Sequence, residues 1–143
     1  MPRIKIDLPE SFSFSTPFAV RITDLNYGSH VGNDKVLTFL HEARVRFLQS
    51  LGYSELNLEG VGIIMADAAI IFKNEIYYGD ELTIYIQPGE YSRVGFDLIY
   101  KVEKKTGDQL ILQVIAKTAM ICYDYQQKKV TGLPDAARIK LSS

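Results

Sequence analysis

The stretch Asp24–Asp34, "DLNYGSHVGND", sits between a short strand-like run and a long helix-like run. It holds one of the chain's two histidines, two carboxylates, two asparagines and two glycines. Asn, Gly and Asp form turns at low cost, so they account for a loop. Whether a histidine and two carboxylates at one junction are turn punctuation or an active site is the question the stretch raises.

Upstream, the segment to about Pro17 is extended and punctuated by Pro and Ser, and "FAVRI", Phe18 to Ile22, reads as a short strand. Downstream the period changes. Val36, Phe39, Leu40, Ala43, Phe47, Leu48 and Leu51 recur at three- and four-residue steps, which marks one face of a helix. Asn33 or Asp34 can cap its start and Gly52 can end it, giving roughly eighteen residues and about 27 Å. Everything after it has strand character. "GIIMADAAIIFKNEIYYG" is β-branched and aromatic and ends at Gly79-Asp80. "ELTIYIQ" puts Leu82, Ile84 and Ile86 on one face, and "VGFDLIYKVEKK" groups Phe96, Leu98, Tyr100 and Val102. A hairpin turn at Thr106–Asp108 leads to "QLILQVIAKTAMICYDY", and "DAARIKL" closes the chain as a short helix.

These periods predict an α+β domain spanning residues 1–143, with one long helix packed on an antiparallel sheet of about five strands. Several strands are apolar on both faces, so a second subunit is the simplest cover for the remaining face or edge. The 143 residues carry a formal charge of -1 with 47% hydrophobic residues, which gives no basic surplus for nucleic acid and no acidic surplus for disorder. Cys122, the only cysteine, reads as a buried core thiol and excludes a disulfide framework or a cysteine-based zinc site. The first residues lack a signal-peptide core, and no later segment is apolar enough over sufficient length to span a membrane. The cytoplasm is the expected location.

With Arg21, Asp24, Asn26, Gly28, His30, Val31 and Asn33 followed by a helix bearing Glu42, Ala43 and Arg44, the chain resembles the hotdog-fold thioesterases. More narrowly it is similar to the hydroxybenzoyl-CoA thioesterase and acyl-CoA thioester hydrolase branch. "IYYGDEL" and "YSRVGFDLIYKV" extend the likeness, which covers roughly residues 16 to 130. The resemblance implies an antiparallel sheet wrapped around one long helix, a homodimer or homotetramer, and hydrolysis of an acyl-CoA or acyl-carrier-protein thioester. Coenzyme A would enter as part of the substrate, with no separate cofactor and no metal. A hotdog protein that binds or transfers an acyl thioester without hydrolysing it is the alternative.

One position departs from the branch. The second Asp of its Asp-x-Asp pattern, the usual catalytic carboxylate, is matched here by Asn26. An amide does not ionise to a carboxylate, so it cannot serve as general base or nucleophile. Asn26 can still position water or the thioester by hydrogen bonding. The candidates for the base are Asp24, which also suits a salt bridge with Arg21; His30, whose ordinary pKa near ~6.5 suits proton transfer; and Glu42, which also suits an i to i+4 pair with Arg46. The helix start beyond Asn33 offers backbone N–H groups to a thioester oxygen. Tyr27, Gly28, Val31 and Asn33 are the expected substrate-binding neighbours. Asp67, a lone carboxylate in an apolar strand, either faces a site or an edge. Ser92 and Arg93 either meet a CoA phosphate or form an exposed turn.

Overall fold

In the computed structural model, which describes residues 4–143, the chain begins with strand β1 (Phe14–Ala19) and a 3-10 turn at Ile22–Asp24. Helix α1 (Asn33–Ser50) follows, then strands β2 (Gly62–Phe72), β3 (Glu81–Gly89), β4 (Gly95–Thr106) and β5 (Gln109–Asp124). A two-residue strand, β6 (Lys129–Val130), and helix α2 (Asp135–Ser142) end it. All pairings are antiparallel, in the order β1-β3-β4-β5-β2, with β6 on β5. No helix among the described residues is long and apolar enough to cross a membrane.

The sheet wraps around α1, as the hotdog resemblance implies. Val36, Phe39, Leu40, Ala43, Phe47 and Leu48 lie on the buried stripe. They meet Leu82, Ile84, Ile86, Phe96, Leu98, Tyr100 and Val102, the alternating sets of β3 and β4. Fully burying one such large side chain contributes about 1.5–3 kcal/mol. Gly52, at φ +81°, ends the helix as expected, in the left-handed conformation that glycine adopts without steric penalty.

Three elements depart from the sequence pattern. β1 starts at Phe14 rather than Phe18, because it pairs with β3 from Phe14↔Ile86 to Ala19↔Glu81 and the chain then tightens into the 3-10 turn. β2 stops at Phe72 rather than running on to Gly79. Beyond it, the N–H groups of Lys73 and Asn74 donate to the Gln113 carbonyl, where β5 bulges, and the chain leaves the sheet as a loop. Asn33 and Asp34 do not cap α1. They are its first two residues, and Gly32 holds the cap position with no side-chain cap bond.

The apolar stripe of α1 is interrupted by a charge. Arg44 is 5% exposed; its Nε donates to Glu55 Oε2 at 3.0 Å and its Nη1 to the Tyr100 hydroxyl at 3.1 Å. Tyr100 and Thr118 share a further hydrogen bond of 2.8 Å in the interior. Removing Glu55 would leave a buried guanidinium without its counter-charge. Glu55→Ala should therefore lower the unfolding free energy by about 3 kcal/mol in urea titrations, far more than an ordinary surface substitution.

Candidate active site

The junction loop is fixed first by Asp24. Its carboxylate is almost fully buried and accepts the Arg21 N–H at 2.9 Å, Arg21 Nε at 3.3 Å and Arg21 Nη2 at 3.2 Å. Burial pushes the Asp24 pKa up, but the Arg21 N–H, its guanidinium hydrogen bonds and the nearby positive charges outweigh this and hold it below the ordinary value. Asp24 is thus a clamp that shapes the turn. Its carbonyl accepts the Gly32 N–H, and the Val31 N–H donates to Ile76 at 2.7 Å, which ties the loop to the segment after β2.

Between these ties the chain folds back on itself. The Asn26 N–H donates to the His30 carbonyl at 2.9 Å, Asn26 Oδ1 accepts the Gly28 N–H at 2.8 Å, and Ser29 takes a φ of +68°. A Cβ on Gly28 would lie 3.2 Å from Asn26 Oδ1 and 3.3 Å from His30 Nε2. One on Gly32 would lie 2.6 Å from Asp34 Oδ1 and 3.8 Å from Asn26 Cβ. Asn26 is therefore flanked by His30 across Gly28 and by Asp34 across Gly32.

His30 Nδ1 lies 3.0 Å from the Val31 carbonyl. A carbonyl only accepts, so Nδ1 carries a proton, and Nε2 lies 3.9 Å from Glu75 Oε1. At the start of α1 the N–H groups of Asn33 and Asp34 have no acceptor among the described residues. They point out of the positive end of an eighteen-residue helix.

Two concavities flank this start. One of about 310 Å³ is lined by His30, Val31, Asn33, Val36 and the loop after β2. The other, about 510 Å³, runs along α1 past Asp34, Leu37, Thr38 and His41 to Ile63 and Met65 of β2. On its wall His41 Nε2 donates to Glu55 Oε1 at 2.7 Å, the same carboxylate that holds Arg44. A larger hollow of about 770 Å³ beside β1 and the Tyr78–Thr83 turn contains none of the junction residues.

The structure thus brings Asn26, Gly28, His30, Val31 and Asn33 together. Tyr27 is on the same loop but projects fully into solvent. Glu42 pairs with Arg46 at 3.0 Å, and Arg46 also reaches Thr16 and the Pro17 carbonyl, so this carboxylate is tied toward β1. Asp67 bonds Lys117 Nζ at 3.0 Å, with Asp97 3.9 Å from the same nitrogen, on the sheet face away from α1. Ser92 Oγ accepts the Gly95 N–H at 3.1 Å in the turn before β4, and the Arg93 carbonyl accepts the Leu133 N–H. By register that turn lies at the end of the sheet where β2 begins. His30 faces the loop that leaves the other end of β2.

Sequence reasoning missed Asp34 as more than a cap and missed the His41–Glu55 pair altogether. The pairing crosses fourteen positions and has no local spacing to announce it. Among the described residues no cluster of three or more His, Cys, Asp and Glu is placed to hold a metal.

The sequence profile of the thioesterase-like superfamily matches residues 20–141. The chain belongs to that superfamily. A 1,4-dihydroxy-2-naphthoyl-CoA hydrolase of Thermosynechococcus vestitus is 27% identical over 119 residues, 81% of this chain and 80% of the relative. Among solved structures, a 1,4-dihydroxy-2-naphthoyl-CoA thioesterase from Synechocystis superposes with a TM-score of 0.79 at 21% identity, covering 90% of this chain and 94% of the other. An Asp-to-Asn mutant of 4-hydroxybenzoyl-CoA thioesterase, complexed with 4-hydroxybenzoyl-CoA, superposes at 0.82 with 20% identity over 93% and 100%. The fold is the hotdog fold.

The Asp24 clamp makes a pH-dependent prediction for this member of the superfamily. Its folded pKa lies below the unfolded value, so its contribution to stability is present above the unfolded pKa and is lost as pH falls through the folded one. Asp24→Ala should cost about 2 kcal/mol at neutral pH. The gap between variant and native melting temperatures should close as the pH drops through the acid range.

Proposed function

We propose that this chain hydrolyses an acyl-CoA or acyl-carrier-protein thioester to a free acid and a thiol. The observation that carries the reading is the pair of unpartnered N–H groups of Asn33 and Asp34, set beside the Asn26 amide. Attack on a thioester moves charge onto the carbonyl oxygen, and preformed backbone donors at a helix start stabilise that charge without reorganising. Membership of the thioesterase-like superfamily and likeness to relatives named as CoA thioester hydrolases support the same reaction. Asn26 Oδ1 is engaged by the Gly28 N–H, which leaves the amide nitrogen to orient water or substrate. Coenzyme A takes part as a piece of the substrate, and the reading needs no other cofactor.

The site is completed by a second copy of the chain in this reading. Among the described residues β2 has a strand partner on one side only, β5, and its free edge runs for eleven residues with Met65 and Phe72 exposed. A long apolar edge of this kind pairs with another strand. A dimer through β2, and a tetramer of two such dimers, would also cover part of the pocket that reaches Met65. Light scattering should give a mass of at least twice the 16.2 kDa of one chain.

Free-thiol release from a panel of aromatic and aliphatic acyl-CoAs tests the reaction, with acyl-carrier-protein thioesters alongside. Tight binding without thiol release would leave a binding protein instead. The donors are tested by Asn33→Pro, since proline at the first helical position removes an N–H while its φ suits the helix and Gly32 before it is already extended. Asn33→Pro should lower kcat about 100-fold or more, whereas Asn33→Ala, which keeps the N–H, should not.

A further inference from the structure

The reading above supplies a place for the oxyanion but no ionisable group at position 26, and hydrolysis needs one to activate water. Each carboxylate around the junction is occupied except one. Asp24 is held by Arg21, Glu42 by Arg46, Glu55 by Arg44 and His41, and Glu75 by the Tyr77 hydroxyl. Asp34 alone has no hydrogen-bond or ion-pair partner for its carboxylate among the described residues. It lies on the wall of the 510 Å³ pocket beside Leu37, Thr38, Ile63 and Met65.

Gly32 shows why that carboxylate sits where it does. Its φ of −68° and ψ of 148° are extended backbone that any residue adopts, so conformation does not call for glycine. What glycine supplies is room. A Cβ there would come within 2.6 Å of Asp34 Oδ1 and 3.8 Å of Asn26 Cβ. The Asp34 carboxylate thus sits near Asn26, on a residue whose own N–H is one of the unpartnered donors, and lines a cavity of a size to take an acyl group.

We infer that Asp34 is the catalytic carboxylate of this chain, taking over at the first turn of α1 the role that Asn26 cannot perform. The inference rests on the hydrolase reading. Asp34 takes a proton from water as the water oxygen bonds to the thioester carbonyl carbon. The carbonyl electron pair moves onto oxygen against the N–H groups of Asn33 and Asp34. When the carbonyl re-forms, the C–S bond breaks, the sulfur leaves with the bonding pair and takes the proton from Asp34. Acid and thiol result and Asp34 is again a carboxylate.

The test uses the full-length chain and whichever acyl-CoA of the panel it turns over fastest. Asp34→Asn should lower kcat at least 100-fold with KM within about threefold of native and an unchanged melting temperature, because the residue is exposed. Asn26→Asp introduced into Asp34→Asn should restore kcat by at least tenfold. Gly32→Ala provides an independent arm: it leaves the carboxylate in the chain but displaces it, so kcat should fall while the fold is kept. Asp34→Asn with kcat within threefold of native overturns the assignment while thioester hydrolysis stands. An absence of thiol release by the native chain on every thioester overturns both.

Discussion

Arg44 is the constraint around which the rest of the molecule is arranged. A guanidinium at 5% exposure, on the helix that fills the sheet, is tolerable only if its charge and donors are met. Glu55 meets the charge from the turn after α1, and the Tyr100 hydroxyl meets it from the sheet. Satisfying one side chain therefore sets the distance between helix, turn and β4 together. The same carboxylate accepts from His41, so the geometry of the interior is passed to the wall of the pocket through a single group. Here packing and polar satisfaction are one problem, because a rotation of α1 that improved the apolar contacts would separate Arg44 from both partners.

A second clamp operates at the other end of the helix. Asp24 and Arg21 hold the 3-10 turn, and the Asp24 carbonyl and Ile76 fix Gly32 and Val31, the two residues just before the helix. The loop between is then short enough to hold Asn26 and His30 beside the helix N-terminus, while Tyr27 projects into solvent. Its glycines perform distinct tasks. Gly28 leaves room where Asn26 Oδ1 and His30 Nε2 converge, and Gly32 leaves room for the Asp34 carboxylate.

The fold was legible because its signals are periodic. The three- and four-residue spacing from Val36 to Leu48 and the alternation in β3 and β4 report burial, and burial is what the structure realises. The end of β2 was not legible. Ile76 is apolar and buried like a strand residue, yet its carbonyl is committed to Val31 across space, a partner that no local pattern reveals. The site was legible as a region for the same reason that its members were not: turn residues mark a loop, but which of Asp24, His30 and Asp34 is free depends on which partners the fold brings. Arg21 is three residues from Asp24 and was visible in the sequence. The pocket beside Asp34 is assembled partly from β2, some thirty residues away, and was not.

This difference bears on how a thioester site can change its carboxylate without changing its fold. In the proposed reaction the oxyanion donors are backbone N–H groups at a helix start, so they persist whatever side chains surround them, provided the helix begins at the same residue. The carboxylate is a side chain and has no such fixity. Residues 26 and 34 are eight positions apart in sequence, but the turn through Gly28 and Ser29 folds the chain back until only Gly32 separates them. On the proposal made above, a carboxylate at either position would face the same donors. On that proposal an Asn at position 26 removes less than it would in an open loop, because the main-chain donors do not depend on side-chain identity and the carboxylate has a second place to stand.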